Sequence, residues 1–327
     1  MKAAILTTPG PVASRPLAIS DIAKPEAATG QVLLRVRACG VCRTDLHVVE
    51  GELKPLREHV IPGHQIVGEV AGGDLPVGSR VGVTWMAGTD GSCPYCLRGE
   101  ENLCDAPSFT GYSVDGGYAE YALARADFVT PLPDALDDLM AAPLLCAGII
   151  GFRSLRVAGV QEGERVGLFG FGASAHLALP VLRAWKCEVY VATRGESHRK
   201  LAESLGADWV GAERDRPPVA LDRAVTFAPS GDVVVAALGS LRKGGVVAIN
   251  AIHLDRMPEF DYDTLLWGER QIRSVANVTR ADARDFLELA ARIKLRPRVT
   301  VFPLERANEA LMALKADSID GAAVIVP

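Results

Sequence analysis

Residues 170–175 read Gly-Phe-Gly-Ala-Ser-Ala, between a short apolar run at 165–169 and a helical pattern at 173–185. Strand, glycine turn and helix in that order leave few folds open. Gly170 allows a tight turn, Gly172 lets the backbone approach a bound group, and the small Ala175 permits close helix–strand packing. Alternation continues downstream. Strands are expected at 188–192, 208–211, 222–227, 246–250 and 271–276, and helices at 196–205, 231–241 and 258–268. Six strands with intervening helices predict an α/β fold with a doubly wound parallel sheet of Rossmann type.

In that context the turn predicts a dinucleotide site. The helix opened by Ala173 offers free N–H groups and a positive dipole end to phosphates. A site for NAD places Asp or Glu at the end of the second strand, where it binds the ribose hydroxyls. This chain has Thr193-Arg194 there, with Arg199 and Lys200 following. A 2′-phosphate meets cations and no carboxylate, so NADP is favoured over NAD.

The part before Gly148 is different. Residues 31–38 (QVLLRVRA) alternate at period two, and 66–71 and 80–84 are further short apolar runs broken by Gly and Pro. An irregular β domain is expected. After Asn277 come a charged helix (280–293), a strand (298–302), a helix (304–315) and a last strand (322–326). This tail lacks a hydrophobic partner of its own and is expected to return to the first domain.

Seven cysteines, an odd number, in 327 residues argue against a disulfide framework and for metal binding or chemistry. Net charge is −5, which excludes a broadly basic nucleic-acid footprint. The longest apolar run, 141–152, has 12 residues, against about 20 for a membrane span. The N-terminal apolar stretch is too short for a secretory signal. A soluble, cytoplasmic protein is expected, with no membrane or nucleic-acid partner.

Asp90, Cys93, Cys96 and Cys104 share one loop. Three thiols and a carboxylate there can wrap a tetrahedral structural zinc. A dispersed set comprises Cys39-Gly-Val-Cys42-Arg-Thr-Asp45-Leu-His47, then Gly63-His64-Gln65, then Leu145-Cys146-Ala147. Two cysteines and a histidine from it can leave a fourth zinc position open, as catalytic sites do.

With these stretches joined by GGYAEY (residues 116–121) and APLLCAG, in this order, the whole chain resembles the zinc-dependent medium-chain alcohol dehydrogenase family. The resemblance implies a catalytic, GroES-like, mainly-β domain at 1–147 completed by 277–327. It places a dinucleotide-binding domain at 148–276 and the active site in the cleft between the two. Cys42, His64 and Cys146 are implied as catalytic zinc ligands, giving two zincs per subunit with the loop site. Asp45 is implied to orient a ligand imidazole, and Thr44 to bond the substrate oxygen. His47 would end a proton relay. Arg43 would contact the pyrophosphate, and Trp85 would wall the pocket. The implied enzyme interconverts alcohols and aldehydes or ketones with NAD(P)(H), as a homodimer or homotetramer. With Trp85, Ile149 and Ile150 apolar, primary apolar alcohols are expected rather than polyols.

Three positions depart from the family pattern: Gln65 replaces a glutamate, Asp90 a cysteine, and Ala322 an arginine after Gly321. They leave room for one rival, a non-catalytic NADPH-binding redox sensor; a second, a zinc-independent quinone or enone reductase on the same fold, is disfavoured by Cys42, His64 and Cys146.

Overall fold

The computed structural model describes residues 1–319 and 321–327. They divide into two compact units, Met1–Ala147 with Asn277–Pro327, and Gly148–Ala276.

The second unit is built on a six-stranded parallel sheet. Its spatial order is Trp209–Gly211, Glu188–Ala192, Arg165–Phe169, Leu221–Thr226, Leu241–Ile249 and Gln271–Ser274. Counted along the unit this is 3-2-1-4-5-6, the doubly wound order whose direction reverses beside the first strand. Val166, Leu168, Val189, Val191, Val225 and Val247 are buried along these strands, as a sheet covered on both faces requires. The glycine turn lies at the reversal. Gly170 has φ +86°, and a Cβ there would come within 3.0 Å of the Ala228 nitrogen. Only glycine suits that backbone at low cost.

Two expected elements differ in extent. Residues 258–268 form only one turn, Tyr262–Leu265. Asp261 starts it by accepting from the Thr264 N–H, Pro258 cannot donate upstream, and Gly268 at φ +90° follows it. The fifth strand begins at Leu241 rather than 246, running through Gly244 and Gly245 with a register shift against its neighbour.

The first unit holds a seven-stranded mixed sheet. Its central strand Gln31–Val41 buries Val32 to Leu34 and then alternates from Leu34 to Arg37, with Val36 buried and Arg35 and Arg37 exposed, the period-two pattern of a half-buried strand. Burying each such valine or leucine is worth roughly 1.5–3 kcal/mol. From Ala38 the alternation stops and both faces are covered. There Gln31–Val41 pairs antiparallel with Ala322–Val326 on one side and Gln65–Gly73 on the other. The strand Val299–Pro303 pairs parallel with Ala322–Val326, so the tail adds the outer strands of this sheet. Gly321 precedes the last of them, Ala322–Val326, at φ +88°.

Asp138–Ala158 is a continuous helical segment long and apolar enough to cross a membrane, though two-thirds of its most apolar stretch is buried inside the protein. It extends beyond the apolar run seen in the sequence because Asp137 caps it, accepting from the N–H groups of Leu139 and Met140. Ile149 is fully buried within it, so that side chain is core rather than a free wall.

Candidate metal centres and active site

The strand Gln31–Val41 runs directly into the helix Arg43–Glu50. Cys42 is the extended N-cap residue between them, and its sulfur accepts from the Thr44 N–H at 3.3 Å. Asp45 closes the capping box: its Oδ2 accepts from the Cys42 N–H at 2.9 Å. The other oxygen, Oδ1, lies 2.9 Å from His64 Nδ1. One carboxylate thereby fixes both the helix start and the imidazole. With Nδ1–H donated to Asp45, the neutral imidazole presents its lone pair at Nε2, which lies 3.3 Å from the Cys42 sulfur.

His64 follows Gly63, whose φ is +96° and whose missing Cβ would fall 2.4 Å from the ring of buried Tyr118. Glycine is required there on both counts. Cys146 arrives from a wide helical turn, Leu144–Gly148, just after Pro143 inside the helix. Proline removes a helix donor and clashes one turn back, and such widened turns are frequent at functional sites. Cys42, His64 and Cys146 bring their ligand atoms within 4.8 Å of one another.

Electrostatics favour charge separation in this cluster. Hydrogen bonding with Cys146 holds the Cys42 thiol well below its ordinary pKa, with His64 adding to the effect against burial. The same bond, with burial, pushes Cys146 well above. Burial disfavours charge on His64, but Asp45 and Cys42 outweigh it and raise its pKa well above the usual imidazole range. Burial raises the Asp45 carboxyl. Two sulfurs and an oriented imidazole nitrogen, converging inside the fold, suit zinc and leave a tetrahedral position for an outside ligand.

A wall of rings adjoins the cluster. Trp85 meets His64 edge-on, centroids 5.2 Å apart, and stacks on Phe109 at 4.9 Å and Tyr112 at 6.0 Å. Tyr112 donates to the Lys54 carbonyl at 2.6 Å. Thr44 is 7% exposed. His47, on the last turn of its helix, hydrogen-bonds through Nδ1 to Glu52. Phe109, Tyr112 and Glu52 escaped the motif reading. The only sequence signal for Glu52 is Gly51, a left-handed C-cap that returns the chain toward the helix it ends.

The second cluster, Asp90, Cys93, Cys96 and Cys104, also lies within 4.8 Å. Asp90 Oδ1 accepts from the N–H groups of Ser92 and Cys93 at 2.8 and 2.9 Å, which hold its carboxyl far below the usual range. The second oxygen makes Asp90 a fitting fourth donor beside three thiols. Glu101, buried within the same loop, pairs with the exposed Arg280, Nη2 to Oε2 2.7 Å.

Gln65, which follows His64, is itself buried. Its side chain packs over Gly40, where a Cβ would come within 2.9 Å of the amide carbon. Cys39 and Cys187 are buried, as expected. All seven cysteines are free thiols.

The remaining sequence candidates divide between the two units. Arg43 is exposed in the first. In the second, Gly172 is an exposed N-cap with open space where a Cβ would go, and Ala173 is exposed at the first helical position. No side chain caps this helix, so its first N–H groups suit a phosphate. Thr193 is buried and Arg194 exposed. Arg199 donates to the Thr193 carbonyl at 3.4 Å.

Comparison with known proteins gives the family. The alcohol dehydrogenase GroES-like domain family matches residues 28–134. A probable alcohol dehydrogenase, AdhA, of Mycobacterium tuberculosis (strain CDC 1551 / Oshkosh) is 48% identical over 328 residues, covering 97% of this chain and 95% of its own. An alcohol dehydrogenase of Geobacillus stearothermophilus is 37% identical, covering 95% and 96%. The cobalt- and zinc-bound thermostable alcohol dehydrogenase of Pyrobaculum aerophilum superposes with a TM-score of 0.88 at 25% identity, covering 100% of this chain and 99% of that one. The chain belongs to the medium-chain, zinc-type alcohol dehydrogenase family and is an oxidoreductase enzyme of that class.

Proposed function

We propose that this enzyme interconverts apolar primary alcohols and their aldehydes, using zinc and a nicotinamide dinucleotide. The observation carrying the reading is the convergence of Cys42, His64 and Cys146 with Asp45 behind the imidazole. It weighs against a zinc-independent reductase on the same fold. Cys42, His64 and Cys146 would hold the catalytic zinc, which when bound supplies a Lewis acid for an alcohol or carbonyl oxygen. Asp90, Cys93, Cys96 and Cys104 would hold a structural one. The glycine turn and helix 173–184 would hold the dinucleotide, which supplies the hydride chemistry.

The chain's own residues orient the reaction and move the proton. The Thr44 hydroxyl would relay the proton lost by an alcohol, accepting it as its own O–H proton passes on. His47 lies three residues on, along the same helical face, and is paired with Glu52 at the surface. It would release that proton to solvent. The rings of Trp85, Phe109 and Tyr112 would seat the apolar part of the substrate and exclude water. Thr193 and Arg194 support NADP(H) as the favoured cofactor. The free thiols support a reducing, cytoplasmic setting. A homodimer or homotetramer follows from the family resemblance.

The test is aldehyde-dependent oxidation of NADPH and NADH over aliphatic, aromatic and sugar aldehydes, with wild type and Thr44→Ala. We expect turnover with apolar aldehydes, NADPH ahead of NADH, and a loss of about 100-fold in kcat for Thr44→Ala. Thr44→Ser should lose much less. Sugar aldehydes as the best substrates, or full activity in Thr44→Ala, would contradict the reading.

A further inference from the structure

The second strand, Glu188–Ala192, ends without a carboxylate, yet a carboxylate is present at that place. Register sets Ala192 beside Gly211 at the end of the third strand, and the Thr193 N–H donates to the Gly211 carbonyl at 3.1 Å. Two residues beyond Gly211, Glu213 reaches across and pairs with Arg194, Nε to Oε1 3.3 Å. The Arg194 side chain is 77% exposed and that of Glu213 only 22%. The carboxylate is therefore the better anchored partner. The two other cations near this strand end are also engaged. Lys200 pairs with Glu196 one turn back at 2.6 Å, and Arg199 reaches the Thr193 carbonyl.

Resting on the proposed dinucleotide site, we propose that Glu213 sets how far this enzyme discriminates NADP(H) from NAD(H). A 2′-phosphate carries close to two negative charges near neutral pH. To use Arg194 it must displace Glu213 or share the guanidinium with it, and in either case it approaches a fixed like charge. The free 2′-hydroxyl of NAD(H) meets no such cost and can donate to a carboxylate, as it does where one stands on the second strand. In this chain the third strand delivers that carboxylate. Glu213 accordingly weakens a preference for the phosphorylated cofactor that Thr193-Arg194 would otherwise make strong.

The experiment is calorimetric titration of the full-length protein with NADP⁺ and with NAD⁺, for wild type, Glu213→Gln, Glu213→Asp and Arg194→Ala. Glu213→Gln should tighten NADP⁺ about tenfold, the size expected of one charge removed at close range near a surface. NAD⁺ affinity should stay level or weaken slightly. Glu213→Asp, which keeps the charge, should hold the wild-type ratio, and Arg194→Ala should weaken NADP⁺ alone. An unchanged ratio of the two dissociation constants in Glu213→Gln, with both nucleotides still bound, overturns the inference and leaves the dinucleotide site standing. Equal weakening of both marks a structural role and also overturns it. If wild type binds neither nucleotide, the dinucleotide reading falls and this inference with it.

Discussion

The two metal-ligand clusters are built in opposite ways. The Cys42–His64–Cys146 cluster draws its donors from three separate chain segments. His64 is wholly buried, and Asp45 behind it is 2% exposed. Its geometry is imposed by the sheet, the capping box and the wide turn before Gly148. The Asp90–Cys104 cluster takes all four donors from one loop, whose short helix Pro94–Leu97 buries none of its residues. That loop is tied to the body of its unit through Glu101 and Arg280. A site that the fold prepares can leave a coordination position open and still keep its shape. A loop with little core of its own depends on the metal for shape and fills every position. Chemistry should therefore reside in the first cluster and stability in the second.

Cys42→Ser should separate the two most sharply. Losing a Lewis acid removes several kcal/mol of charge stabilisation, about a thousandfold in kcat, while the thermal midpoint should move little. Steady-state kinetics beside a melting curve checks this. A large drop in midpoint without loss of turnover would reverse the assignment.

Asp45→Asn tests whether the first cluster is prepared by its carboxylate. Such outer partners typically contribute 10–100-fold in metal affinity, and a chelator competition titration should find a loss in that range. Cys96→Ser should do the converse of Cys42→Ser. The melting midpoint should fall by about 5 °C, while kcat well below the transition stays within a factor of about two of wild type.

The smallest effect is one of pH, away from both clusters. Hydrogen bonds from Lys315 and from the Val12 N–H hold the Glu50 carboxyl below its ordinary value of 4.5. A carboxylate lowered on folding adds stability that is complete above its unfolded pKa and lost as pH falls through the folded one. The Lys315 side chain is 51% exposed, so the gain is under about 1 kcal/mol. Denaturant titrations should show wild type losing this increment as pH falls below 4.5 and Glu50→Gln lacking that dependence. The same slope in both would discard it.

Much of the fold could be read in advance where local pattern decides structure. The glycine turn, its helix and the short apolar strands of the second unit stand out because each signal is contiguous. The segment 258–268 misled because its apolar spacing competes with Pro258 and with the Asp261 cap. The thiols of 93–104 were legible as one loop, since their spacing alone allows a common centre. Glu213 was not legible: it follows a different strand from the one that precedes Arg194, and only sheet register brings them together. The close packing of the Gln65 amide over Gly40 was not legible either, because the two residues stand on paired strands. Of the aromatic wall, Trp85 was expected, and Phe109 and Tyr112 escaped because they belong to separate short segments.

The central claim is that Cys42, His64 and Cys146 hold the zinc that does the chemistry. Zinc per subunit, measured by elemental analysis on purified wild type, Cys42→Ser and Cys96→Ser and set beside turnover, tests it most directly. The account predicts about two zinc ions in wild type and about one in each variant, with turnover lost only in Cys42→Ser. Full zinc content and normal turnover in Cys42→Ser would contradict it.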